Sequence, residues 1–462
     1  MMRSSFHHQS AGTSQRWHTH RKGHCGCLLA LRRLLLAATI ALALGVYAPV
    51  ARSQTLTWGA TGGGGTGTWD TTTANWFNGS AAVPWTQGDS AIFGGAAGTV
   101  TLGTAITAQD LTFGTNGYTV TGNTLTLGVS STPTVTLGAG ISATISSIVA
   151  GSNGLTVTGG GTLTLTGANT YSGGTTINAG TLTYSGAASS SGGGKLNVAT
   201  AAGNTAVVNF NSSGTLTFNG AFNVGASGGA GAVNQTAGTV NALNAPFIYI
   251  EIGNGAAGTY GSYVLSGGSL ITTGASGIRV GDGIGGIGIF TQTGGTLSLS
   301  RYFAVAANVA GDAPVGVATF TGGTATVASG FQFLVGDSNG TGVLNLGTQA
   351  GGMAVLTSQN SSGFLVTNGN VTTGSGTLNL NSGVLNQTAG SINKAGPAGA
   401  TAVVNFDGGT LRAGANNLTL INNTLNSVNV YNGGAVFDTN GFTATVSANL
   451  RQIEREVPVV RA

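Results

Sequence analysis

The chain is 462 residues long, with 83 glycines, 6% charged residues and 41% hydrophobic residues, for a mean hydropathy of +0.25. Beyond residue 53, eight Lys and Arg stand against eleven Asp and Glu, so the net of +4 for the whole chain becomes −3, and nothing basic remains to hold a nucleic acid. All five His and both Cys lie at or before Cys27, so the rest lacks the usual side chains for proton shuttling, thiol chemistry and soft-metal binding; no cofactor or metal is expected.

Residues 1–53 read as an export signal with an extended basic N-region. The basic stretch ends at Arg32 and Arg33, and an apolar run from Leu34 to Val46 follows. That run is short of the ~20 residues a membrane-spanning helix needs. Pro49 and the small-residue site Ala51-Arg52-Ser53 place cleavage after Ser53.

Residues 54–130 hold four of the five tryptophans: Trp58, Trp69, Trp76 and Trp85. Their place at the start of the exported chain predicts an N-terminal cap, because an open repeat array exposes strand edges and core at its end. The competing reading is a cluster of exposed rings that stack on sugars.

Residues 131–450 carry recurrent strand patterns, with the first already at Thr124–Leu127. Thr134–Leu137, Leu155–Thr158, Thr162–Thr166 and Thr215–Phe218 alternate Leu, Val or Phe with Thr, and Gly pairs punctuate them. No segment shows a helical period. From residue 220 a longer repeat appears. Val224-Gly225, Ile252-Gly253, Val280-Gly281 and Val335-Gly336 mark it, with Ala306-Ala307 as a degenerate copy. Gly238, Gly268, Gly295 and Gly323 advance in parallel as a second marker. Ala206–Phe210 recurs as Ala402–Phe406, a whole number of such repeats later, whereas Asn234–Gly238 recurs as Asn386–Gly390 at no such multiple. A repeat of about 28 residues with two or three short strands is one coil of a β-solenoid. About 14 coils at ~4.8 Å each are expected, with Asn and Thr ladders replacing charge on the outside. A series of β-sandwiches is the alternative.

Within this region, residues 159–182 read Gly-Gly-Gly-Thr-Leu-Thr-Leu-Thr-Gly-Ala-Asn-Thr-Tyr-Ser-Gly-Gly-Thr-Thr-Ile-Asn-Ala-Gly-Thr-Leu. Gly161, Leu163, Leu165, Gly167, Asn169, Tyr171, Gly173, Gly174, Thr175, Ile177, Gly180 and Leu182 make the segment closely resemble the passenger-associated transport repeat of bacterial autotransporters, also called the autotransporter-associated β-strand repeat. The resemblance implies an all-β, right-handed parallel β-helix passenger, exported to the cell surface at the outer membrane or released, and a repeat associated with passenger transport. The bland reading of the segment is one more coil. Autotransporters end in a C-terminal β-barrel. None is readable here, and residues 451–462 form an atypical charged tail, so the expectation is a chain truncated before its barrel or held by another anchor.

The acids bear on catalysis, since glycoside hydrolysis needs two carboxylates on one bond. Asp282 and Asp337 follow equivalent markers, with Asp312, Arg279 and Arg301 nearby; the turn reading prevails. The glycine-rich stretch Gly281–Ile289 has too few acids for calcium, and Gly62–Gly65 lacks the Lys of a phosphate loop. The expectation is therefore a non-enzymatic structural or adhesive rod whose partners are surface glycans or host and matrix macromolecules. A β-helix protein that binds or degrades polysaccharide is the alternative.

Overall fold

The computed structural model describes residues 53–454, apart from 188, 191–193, 244–248, 275, 308–312, 338, 349–350, 369–372 and 397. The export signal, Asp312 and residues 455–462 of the tail thus lie outside the described residues. Among the described residues every regular element is a strand, 48 in all.

The strands stack into three faces. Face 1 begins at Thr55–Trp58 and climbs through Ser90–Phe93, Leu111–Phe113 and Thr134–Leu137 to Ala444–Val446. Face 2 has 16 strands, from Gly67–Trp69 to Leu450–Gln452. Face 3 starts as three strands, Ile106–Ala108, Leu125–Leu127 and Val149–Ala150, and continues as 11 more from Ala168–Asn169 to Val436–Asp438. Each chain turn visits the faces in sequence, and each strand pairs in parallel with its counterpart one coil on, as Thr205–Phe210 does with Ala230–Gln235. This is the β-solenoid, not a run of sandwiches. The ladders of faces 1 and 2 pass across residue 130 without a break.

Alternation produces the core. Val135, Val157, Ile177, Val198, Val224, Ile252, Val280, Val305 and Val335 pair one above the next on face 1, and each is fully buried. β-Branched side chains are stiff at χ1 and pack well on a pleated surface, so the same rotamer can repeat coil after coil. Aromatic rings fill wider levels: Tyr263 stacks on Phe290 at 5.8 Å and Phe333 on Phe364 at 5.4 Å. Two inward glutamines pin adjacent coils. Gln235 Nε2 donates to the carbonyl of Ser269 at 2.9 Å, and Gln292 Nε2 to that of Thr324 at 3.0 Å.

Outward positions are polar, and they pair in ladders. On face 2, Asn429 donates to Asn405, Asn405 to Asn379, and Asn379 to Asn345, at 2.8–2.9 Å, and Asn345 donates to the Thr319 hydroxyl at 3.2 Å. These amides supply between coils the pairing that charged residues are too few to give.

Coil length varies more than an even repeat predicts. Thr205 and Thr401 lie seven pairings apart on face 2, so the expected repeat holds as an average there. Upstream the turns are much shorter, as where Leu163 pairs with Leu182; downstream one is much longer, where Gly342 pairs with Gly376. Short N-terminal coils explain why face 2 has 16 strands, more than the coil number expected from an even repeat. The second recurring pentapeptide is explained too. Gln235 ends a face 2 strand and Gln387 a face 3 strand, yet each donates to the carbonyl of the glycine that closes its own pentapeptide, Gly238 or Gly390. One local turn serves two different corners of the coil.

The Val-Gly marker is a positive-φ slot that follows the inward Val. Gly225, Gly253, Gly281 and Gly336 occupy it at φ of 65–72°. A Cβ there would run into a backbone carbonyl of a following coil: that of Tyr260 at Gly225, Ile287 at Gly253, Val315 at Gly281 and Ser375 at Gly336. Ala199, Ala306 and Thr367 also hold positive φ at equivalent levels. The degenerate copy is therefore Val305-Ala306, one residue earlier than spacing predicts, since Asp282 pairs with Ala307. Ala306 is accommodated because Gly340, beside its methyl, has no side chain. Gly253→Ala is expected to lower stability by more than about 1 kcal/mol, while Ala306→Gly is neutral or stabilising, as read from the midpoint of chemical denaturation.

Candidate functional site

The transport-repeat residues 159–182 form about one turn: Thr162–Leu165 on face 2, Ala168–Asn169 on face 3, Thr175–Ile177 on face 1, then into Ala179–Gly186 back on face 2. Leu163, Leu165, Ile177 and Leu182 point inward and are fully buried. Gly161, Gly167, Gly173 and Gly174 lie so close to the backbone of adjoining coils that a Cβ would meet Ile141 O, Ser147 O, Gly154 N and Lys195 O. Gly180 also needs its φ of 87°.

The polar members of the repeat meet inside the coil. The Tyr171 hydroxyl lies 2.6 Å from that of Tyr184 and 3.0 Å from the Thr175 hydroxyl, with all three residues buried. Asn169 is also buried, and its Oδ1 accepts the backbone N–H of Val149 at 3.0 Å. Buried polar groups that are paired fix one register, because any slip would strand them. Tyr184 is a member that the motif residues do not include; the alternation of Leu182 and Tyr184 on one strand places it inward and is a usable sequence signal.

The four tryptophans form a second cluster. Trp69 contacts Trp76 at 4.8 Å and Trp85 at 4.7 Å, and Trp58 contacts Trp76 at 5.0 Å, all edge-to-face. The hairpin Trp76–Phe77/Ala82–Val83 pairs antiparallel along Thr57–Trp58, the first strand of face 1. All four side chains are at most 2% exposed. Their rings are taken up by one another and by the coil core.

A third feature lies on the outside of face 1. The outward row runs Thr156, Thr176, Asn197, Asn223, Glu251, Arg279, then Ala304, Leu334, Leu365 and Asn393. Polar ladder gives way to a charged pair, then to an apolar patch only 3–5% exposed. Beside that patch is a groove of about 210 Å³ lined by Tyr249, Arg279, Tyr302, Gln332, Leu334, Asp337 and Asn368. Arg279 lies 4.0 Å over the Tyr249 ring and donates to Asp282 at 2.9 Å. Arg301 lies 5.3–5.7 Å from the rings of Tyr249, Tyr302 and Phe331. The runs Phe333-Leu334-Val335 and Phe364-Leu365-Val366 lack alternation, and that is the sequence sign of burial on both sides of a strand, which a search for catalytic acids passes over.

Glu251 and Asp282 are near enough for their charges to interact, with Arg279 beside both, whereas Asp337 lies further along the ladder. Asp282 and Asp337 share a position in the ladder, with Ala307 at the level between them. Asp282 is buried and held by Arg279 and by the Gly283 N–H. Burial, then the negative charge of Asp282, raises the Glu251 carboxyl above its usual range. Among the described residues no three His, Cys, Asp or Glu side chains gather as a metal site.

Two measurements probe the repeat. Asn169→Ala leaves the Val149 N–H buried without its partner and is expected to cost about 1–3 kcal/mol, read by denaturation. Burial raises the Tyr184 phenol well above 10, as do the neighbouring Tyr171 charge and hydrogen bond, and burial raises Tyr263 likewise. Both phenols hold their protons in the folded state longer than in the unfolded chain. Their contribution is complete below pH about 10 and is lost as pH rises towards the folded values, so alkaline unfolding should begin above pH about 10. A Tyr171→Phe/Tyr184→Phe variant should shift the alkaline midpoint upward.

Residues 155–183 match the family described as Passenger-associated-transport-repeat. Over 121 residues the chain is 50% identical to the "Adhesin BmaC autotransporter" of Brucella suis biovar 1 (strain 1330). That segment is 25% of this chain and 4% of the adhesin, so the chain spans only a small part of that relative's length. No solved structure matches the chain. Residues 155–183 thus carry a passenger-associated transport repeat seated as about one turn of a parallel coil stack, and a 121-residue stretch of the chain is similar to an autotransporter adhesin.

Proposed function

We propose that this passenger is an exported, non-catalytic adhesive rod, carried at the cell surface or released, whose partners are host or matrix macromolecules. The observation that carries the reading is the 50% identity over 121 residues to an autotransporter named as an adhesin. The surface supports it. Ladders such as Asn345 to Asn429 repeat the same amide level after level, which suits many weak polar contacts and no single deep site. The acids support it as well, since Asp282 is committed to Arg279 and sits two levels from Asp337.

In this reading residues 54–130 act as the N-terminal cap. The Trp76–Val83 hairpin covers the edge strand of face 1, and the indoles close the core above Phe93, which Trp69 and Trp76 each meet at 5.8 Å. Residues 159–182 serve transport. A coil whose Tyr171, Thr175 and Tyr184 lock together can form early outside the cell and resist being drawn back.

Beads coated with the purified chain should bind epithelial monolayers or deposited matrix several-fold above albumin-coated beads, and soluble chain should compete. Attachment at the albumin level on both surfaces would remove the adhesive reading.

A further inference from the structure

We propose that the outer surface of face 2 between Thr205 and Asn405 docks a second copy of this chain, packed face to face with its coils running the opposite way. The inference stands on face 2 alone and not on the adhesive reading. On these strands the outward positions form three columns, and none of them holds a charged residue. The first column turns apolar in mid-course: Tyr260, Ile287 and Val315 stand one over another, each 39–42% exposed. Ile289, Val317 and Val343 stack beside them in the second column, partly exposed. The third column is the amide ladder, and it is interrupted at the same levels. Asn234 donates to Asn209 at 3.0 Å, then Val264, Thr291 and Thr319 follow, and the amides resume at Asn345. An apolar island flanked by amides towards both ends is a surface that monomers rarely leave open to water.

Area, charge and symmetry point to a second copy as the occupant. The seven pairings from Thr205 to Thr401, at about 4.8 Å each, and strands of six residues, at about 3.3 Å each, give a face of about 34 by 20 Å, or about 700 Å². A stable interface takes roughly 800 Å² from each partner, so the whole face comes near the requirement and the apolar island by itself does not. A surface without charge has nothing to steer or select a charged partner. Faces 1 and 3 differ, since they carry Glu251, Arg279 and Arg412 outward. The polar groups of face 2 are amides and hydroxyls, which both donate and accept and so can pair with copies of themselves. A two-fold interface needs a self-complementary surface, and the order of levels supplies one. With the axis along the strands, midway between Ile289 and Val317, Ile289 of one copy lies over Val317 of the other, Ile287 over Val315, and Asn209 over Asn405. Apolar levels then fall on apolar levels and amides on amides. Aligned sheets pack about 10 Å apart with interdigitating side chains. The strands at the centre are paired on both edges within the stack, so the contact is made by side chains and not by adding a strand.

The test is the mass of the full chain by analytical ultracentrifugation, from about 1 to about 100 μM, where a dimer should form. Ile289→Lys and Val317→Lys should each weaken it at least about tenfold. Thr326→Lys, partly exposed on face 3, should leave it unchanged. Far-UV spectra should show all three variants folded, since the substituted side chains point outward. Should one face 2 variant unfold, the other decides. Mixing the Val317→Lys chain with an Ile289→Glu chain should restore the dimer, because the two-fold axis sets those positions against each other. A monomer across the whole range, a dimer that the face 2 variants leave intact, or a mixed pair that fails to recover would overturn the proposal. So would a monomer that floats with phosphatidylcholine vesicles through Ile289 and Val317, which assigns the face to a lipid surface. The bead assay keeps the two readings apart. Val317→Lys beads that adhere like wild type leave the adhesive rod standing whatever the mass measurement shows.

Discussion

The stacking of identical backbone levels is the constraint on which this molecule depends. Parallel pairing places each residue over its counterpart a coil away, so whatever a side chain does at one level must be compatible with the same act above and below. The column from Val135 to Val335 meets that demand with β-branched residues alone. The chain is accordingly poor in residues whose repetition would be costly. Like charges stacked at about 4.8 Å repel, whereas amides stacked at that distance donate and accept in turn. The Asn345–Asn379–Asn405–Asn429 ladder is what a nearly charge-free surface uses where ion pairs such as Arg279–Asp282 and Arg412–Asp438 are few.

Turning the chain onto the next face is the second demand. The Val-Gly slot combines positive φ with a following coil's carbonyl against the missing side chain, so two independent costs fall on the same residue. Where the slot holds Ala306, a neighbouring glycine has taken over the vacancy. The transport repeat is the densest expression of this logic: glycines where coils touch backbone to backbone, and a buried Tyr171–Tyr184–Thr175 contact that holds one register.

Where the outward pattern breaks, the surface changes character. Leu334 and Leu365 interrupt a polar row, and Tyr249, Tyr302 and Phe331 gather beside them with two arginines. Among the described coils this stretch departs from the polar row, and its apolar side chains are buried on the outer side of the strands as well as the inner.

Local pattern alone determined much of this protein. Alternating Thr and Leu, glycine punctuation and two markers advancing together spell parallel coils, because strand period and turn chemistry are properties of a few consecutive residues. The repeat's glycines and Tyr171 were legible only through the segment's resemblance to a known transport repeat. Other features were decided by the tertiary structure. Coil length is set by how far the chain travels before it pairs again, so the short turn from Leu163 to Leu182 and the long one from Gly342 to Gly376 share one ladder. The pentapeptide at Asn234 and Asn386 makes the same corner on different faces, since a local turn carries no record of which face precedes it. The indoles' burial, the pairing of Tyr171 with Tyr184, and the meeting of Tyr249, Arg279 and Tyr302 across three coils depend on residues well separated along the chain. Only the coiled stacking brings such residues within reach of one another, and no short window of sequence records that they meet.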